Sequence, residues 1–152
     1  MNVLVRFEPR CDDFDRRVRD SFSKQSFMRT LNASIIDISP GRVKLNLPFD
    51  KMFSQQHGYM HAGATTTVLD TACGYAALSL MKTDTEVLTV EFKTNLLAPA
   101  SGETFELIGT VTKPGRTLFF CDGEAFSVTG MDRKLVATMS ATMMSVPTSQ
   151  EN

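Results

Sequence analysis

The chain has 152 residues, 42% of them apolar, with 16 Lys and Arg against 17 Asp and Glu for a formal net charge of −1. That length suits one compact domain spanning 1–152 with a real core, and it is too short for two ordinary domains. The near-zero charge argues against a nucleic-acid binder, which needs a basic surplus to neutralise phosphates, and no apolar run approaches the roughly 20 residues that cross a bilayer.

Met1–Arg10 has no long apolar stretch ahead of a cleavage-like site, so it does not read as a secretory leader. Cys11, Cys73 and Cys121 are odd in number, far apart and without CxxC spacing. Neither a disulfide framework nor structural zinc is expected, a reducing cytoplasm is the expected location, and Cys73 and Cys121 are expected to pack as small hydrophobes. In 10–32, Phe14, Val18 and Phe22 recur at four-residue steps among charged neighbours, followed by Phe27, Met28 and Leu31. This predicts an amphipathic helix broken near Ser23–Ser26, with Asp12 as its N-cap. Pro40-Gly41 predicts a type II turn joining a strand over Ala33–Ile38 to one over Val43–Leu47.

The tract from His61 to Met81 differs. It is apolar nearly all round with one charge, Asp70, which predicts a helix wrapped by the rest of the fold or by a partner. Close packing is the simplest role for Gly74 inside it. Strands follow: Val87–Leu97, one through Phe105, Leu107, Gly109 and Val111, then Leu118–Val128, a turn at Gly130–Lys134, and Leu135–Val146. Strict alternation sets Leu88, Val90, Phe92, Thr94 and Leu96 on one face of the first, with Thr89, Glu91, Lys93 and Asn95 on the other. Ile108 with Phe119 or Phe120 points to partial cover of the sheet's second face by another subunit. The polar tail 147–152 is expected to be disordered. Helices do not alternate with strands, so the expectation is an α+β fold: a curved antiparallel sheet of about six strands around one long buried helix, with a helical N-terminal extension.

The only dense group of chemically competent residues is Gln55-Gln56-His57-Gly58-Tyr59-Met60-His61-Ala62-Gly63, followed by Asp70. The helix start offers free amides and the positive dipole end to an anion or a developing oxyanion. A lone carboxylate in an apolar helix needs a reason, catalysis or a satisfied structural pair. His61 and Asp70 stand nine residues apart, which in a helix is ~13.5 Å of rise and ~180° of rotation. They cannot both touch one small reacting group within a chain, so joint action predicts a dimer with two composite sites. A metal role for His57 and His61 lacks a second ligand cluster, and no metal is expected; His57 is expected in a loop or interface.

Gln55-x-x-Gly58-x-x-His61-Ala62-Gly63 with Leu69-Asp70-x-Ala72 resembles the signature of the hotdog-fold acyl-CoA thioesterases, nearest the PaaI-like (phenylacetate-degradation) branch. The resemblance extends through Thr89-Val90-Glu91-Phe92, Pro99-Ala100, Lys113-Pro114-Gly115-Arg116 and Leu135-Val136-Ala137. It implies Asp70 as nucleophile or general base, with Ala62 and Gly63 amides polarising the thioester carbonyl. It further implies Gln55 and His61 as orienting hydrogen bonders, Thr89 as support for the carboxylate, and Arg116 near the coenzyme A phosphates, Arg133 and Lys134 adding to that patch. Coenzyme A then belongs to the substrate, no separate cofactor is needed, and a homodimer or dimer of dimers is expected. Ala62 stands where the motif has its first Gly, which matters only if that position needs positive φ. Two other readings fit the same fold: a non-catalytic acyl-CoA or small-ligand binder, and a hydratase on an enoyl-CoA. Arg116 also reads as a solvated hairpin charge.

Overall fold

A computed structural model describes residues 7–149. Two short helices, α1 (Phe14–Ser23) and α2 (Ser26–Thr30), precede a hairpin of β1 (Ser34–Ser39) and β2 (Arg42–Pro48). A single 3-10 turn, Lys51–Phe53, leads to α3 (Ala62–Leu78), and β3 (Thr85–Leu96), β4 (Thr104–Pro114), β5 (Leu118–Thr129) and β6 (Asp132–Pro147) complete the chain. The six strands form one antiparallel sheet in the order β1-β2-β4-β5-β6-β3. Among the described residues no helix is long and apolar enough to cross a membrane.

The α+β architecture expected from the patterning is present. Gly41, at φ +76°, turns the first hairpin, and its amide donates to Ser79 Oγ at 2.8 Å, fastening the turn to the end of α3. Val43, Leu45, Leu47, Phe105, Leu107, Phe119 and Met143 are fully buried from the sheet side, and Val68, Leu69, Ala72, Cys73 and Ala76 from α3. Burial of each large side chain stabilises by about 1.5–3 kcal/mol. Glycine permits the close approach of helix and sheet: a Cβ on Gly109 would lie 2.3 Å from the Ala72 backbone, and one on Gly123 would lie 2.9 Å from Leu69. Val18, Met28 and Leu31 carry α1 and α2 into the same core.

Several expectations need correction. The residue before α1 is Asp13, not Asp12, and its side chain makes no capping hydrogen bond. The last hairpin turns at Gly130, φ +56°, and Met131, so β6 begins three residues before Leu135. Pro147 closes β6, and the Thr148 amide donates to the Asp84 carbonyl at 3.0 Å, so this part of the tail is tied to the fold. The remainder of the tail expectation, at 150–152, and 1–6 of the leader reading lie outside the described residues. Phe119 is buried against the core, whereas Phe120 is 42% exposed and pairs with Thr142 on the opposite face.

The largest correction concerns β3. Thr89 pairs with Met143 but Glu91 pairs with Thr142, leaving Val90 as the extra residue of a bulge. Alternation is therefore shifted by one. Thr89 shares the helix-facing side with Phe92, Thr94 and Leu96, whose partners Ala141, Met139 and Ala137 are buried, while Leu88 joins Met144 on the outside.

Candidate active site

The segment before α3 is a tight loop built by its own polar groups. The Gln55 amide donates to the Tyr59 carbonyl at 2.9 Å, and the Gly58 amide to the Gln55 carbonyl at 3.0 Å, with Gly58 at φ +83°. Gln55 Oε1 accepts from the His57 and Tyr59 amides, which leaves its Nε2 donor directed to no protein group among the described residues. His57 is exposed on this loop. His61 caps α3: its Nδ1 accepts from the Gly63 amide at 2.8 Å, so the other ring nitrogen carries the proton in the neutral form.

This arrangement separates the two amides at the helix start. Gly63 N–H is occupied by His61, whereas Ala62 N–H has no partner among the described residues. Ala62 does not have positive φ, so the residue standing in the motif's first Gly position carries no backbone strain. The free amide points from the positive end of a 17-residue helix. Gln55, His61 and Ala62 share a cleft of about 620 Å³ with Met60, Leu96 and Val136.

Asp70 lies in a different place. Its carboxylate accepts the Thr89 hydroxyl at 2.8 Å, a contact made available by the bulge at Val90. The pair lines a second cavity of about 210 Å³, reached by Ser21, Gln25, Gly74 and Tyr75. Burial pushes the Asp70 carboxyl above its ordinary value, and the Thr89 hydrogen bond pulls it partly back. Such a carboxylate is a stronger base than a solvated one, held by one oxygen with the other left open. Within one chain Asp70 and Ala62 are eight residues apart on α3, a rise of ~12 Å.

The basic residues do not converge within one chain. Arg116 is exposed at the β4–β5 hairpin, next to Leu118, which pairs with Met144. Arg133 and Lys134 pair with Val128 and Ser127 at the far end of β5, ~30 Å away by strand rise. Arg133 is also engaged, 2.8 Å from Glu106 and stacked 3.4 Å over the Phe126 ring. Cys73 and Cys121 are buried as small hydrophobes, and burial pushes both thiols up, Cys121 to about 12. The polar group that the sequence did not flag is Tyr75, whose hydroxyl accepts from Gln25 Nε2 at 2.8 Å and lies 3.1 Å from Ser21 Oγ. Its tyrosine hydroxyl on an apolar helix was the available signal.

Residues 57–134 match the family model of the thioesterase superfamily. A thioesterase family protein from Silicibacter pomeroyi is 49% identical, with 89% of this chain and 99% of that chain covered and a TM-score of 0.87. The PaaI protein of the Escherichia coli phenylacetic acid degradation operon has the same fold at 18% identity, with 88% and 94% covered and a TM-score of 0.80. A Staphylococcus aureus thioesterase matches at 21% identity, with 81% and 100% covered and a TM-score of 0.76. That enzyme has been crystallised with a glutamine changed to alanine and, separately, with a glutamate fifteen residues further on changed to alanine. Shared fold, 49% identity to a family member and the match over the helix and its flanking loop agree: the chain is a hotdog-fold member of the thioesterase superfamily, with thioester hydrolysis as its general chemistry.

Proposed function

We propose that the protein hydrolyses acyl-CoA thioesters to a free acid and coenzyme A, as a homodimer with two composite sites. The observation that carries this reading is the separation of the two half-sites along β3. The Asp70–Thr89 pair lies at the start of this strand, and the Ala62 cleft reaches its end at Leu96. β3 is an edge strand, yet Val90, Phe92 and Leu96 are 51%, 44% and 61% exposed. An unpaired apolar edge is a liability in a lone chain and an interface in a pair. Antiparallel pairing of two β3 edges about Phe92–Lys93 sets Thr89 of one copy opposite Leu96 of the other. Asp70 then meets the Ala62 amide of the second copy, twice per dimer. The same two-fold carries Arg116 of one copy toward the Arg133 and Lys134 end of the other, where phosphates of coenzyme A need cations.

In this arrangement the thioester carbonyl accepts from the Ala62 N–H, where negative charge develops during attack. Asp70 takes a proton from water, or attacks the carbonyl directly and is released by water. Either route adds one water across the C–S bond. The acyl carbon gains the oxygen, the sulfur leaves as thiolate, and a proton returns to it. Thr89 holds one Asp70 oxygen, and Gln55 Nε2 is free to orient water or carbonyl. Gln55 and Asp70 are fifteen residues apart, the same interval as the two positions altered in the S. aureus thioesterase.

The direct test is Asp70→Asn in a thiol-release assay over acetyl- to octanoyl-CoA and benzoyl-CoA. The expected loss is roughly 10²–10⁴-fold in kcat. Unchanged turnover by a folded variant removes the mechanism.

A further inference from the structure

Gly74 sits in the middle of α3, where glycine costs about 1 kcal/mol relative to alanine. Close packing is the usual reason for that cost, and Gly109 shows what it looks like, with backbone 2.3 Å from an added Cβ. Gly74 is the opposite case. A Cβ built there meets nothing within 4 Å, although the residue is buried. Close packing does not explain this glycine; its missing side chain leaves a hollow.

The hollow has a chemical address. Gly74 is four residues from Asp70, so the two share one helix face, and both line the 210 Å³ cavity that holds the Asp70–Thr89 pair. That volume equals about seven waters, room for a compact acyl group. The cavity's far wall is polar. Tyr75 presents its hydroxyl, held by Gln25 from the α1–α2 joint and by Ser21 from α1. Gln25 occupies the N-cap position of α2 without capping it, its side chain directed to Tyr75 instead. Ser21 and Gln25 also lie outside residues 57–134, the stretch matched by the family model. Asp70 and Glu86 together disfavour an anionic acyl group.

Resting on the acyl-CoA hydrolase reading, we propose that the hollow over Gly74, closed by Tyr75, Ser21 and Gln25, receives the acyl end of the thioester. The absent side chain at Gly74 sets the largest acyl group accepted.

The experiment compares wild type, Gly74→Ala and Gly74→Val for kcat/KM on acetyl-, butyryl-, hexanoyl-, octanoyl- and benzoyl-CoA, with a melting curve for each protein. The readout is the ratio of kcat/KM for the bulkiest group that the wild type accepts to that for acetyl-CoA. In Gly74→Ala this ratio falls by roughly 10–200-fold, the usual worth of a methylene-sized change in a pocket, and Gly74→Val, which adds three carbons, shows a larger fall in the same direction. Gly74→Ala also melts higher than wild type, as helix propensity dictates. If Gly74→Val does not fold, the ratio for Gly74→Ala decides. An active wild type whose ratio is unmoved in the variants overturns this inference alone. A wild type inert toward every acyl-CoA overturns the hydrolase reading and this inference with it.

Discussion

If each site takes Asp70 from one copy and the Ala62 amide from another, two inactive variants must rescue each other. The first is Ala62→Pro, which deletes the free N–H. Ala62 is the first helical residue, a position proline favours, and His61 before it is already extended at ψ 136°. The Ala62 amide bonds to nothing within the chain, so folding loses no hydrogen bond. Loss of one oxyanion donor lowers kcat by about 10²–10³-fold. The second variant is Asp70→Asn. A heterodimer of the two, isolated through different tags on each chain, has one site with both groups intact and one site with neither. Its activity per dimer is about half that of wild type, against about 1% or less for either parent homodimer. Steady-state thiol release on the tandem-purified heterodimer measures this. A heterodimer no more active than the mean of its parents, with its folded dimeric state verified, refutes the shared-site geometry.

Other consequences are simpler to check. Thr89→Val removes the hydrogen bond that lowers the Asp70 pKa, leaving burial to raise it. If Asp70 works as the carboxylate, as proposed, the acid limb of the kcat/KM profile moves to higher pH; an unmoved limb shows that Asp70 is not the group titrating there. Gly109→Ala forces a methyl group against the Ala72 and Cys73 backbone. The expected cost is about 3 kcal/mol, or roughly 6–12 °C in Tm by calorimetry, and a loss below about 1 °C means that α3 does not lie this close to β4.

The fold was legible where a period runs uninterrupted. Val43, Leu45 and Leu47 announced a half-buried strand, and the run from His61 to Met81 announced a buried helix with Asp70 as its anomaly. The bulge at Val90 was not legible. One extra residue in a ladder changes no residue type and leaves no local mark, yet it separates Thr89 from the face of Glu91 and sets it beside Asp70. Resemblance had tied Thr89 to the carboxylate while alternation grouped it with Glu91, Lys93 and Asn95, and pairing with β6 decides between them. Gly74 was misread because a packing glycine and a hollow-forming glycine look alike until the facing α1 is in position. The strand expected over Leu118–Val128 already separates Arg116 from Arg133 and Lys134, and β5 keeps them at opposite ends within one chain.

The glycines that seat α3 are on the sheet: Gly109 against Ala72 and Cys73, Gly123 against Leu69 and Cys73. The glycine over the cavity, Gly74, is on the helix flank that lines it with Tyr75, opposite Gln25 and Ser21. Anchoring and tailoring thus fall on opposite flanks of one cylinder. On the proposed mechanism, substitutions at Gly74, Ser21 or Gln25 retune which acids are released without shifting the axis that aims Ala62 and Asp70, so a lineage carrying this scaffold can change its diet while its reactive groups stay in register.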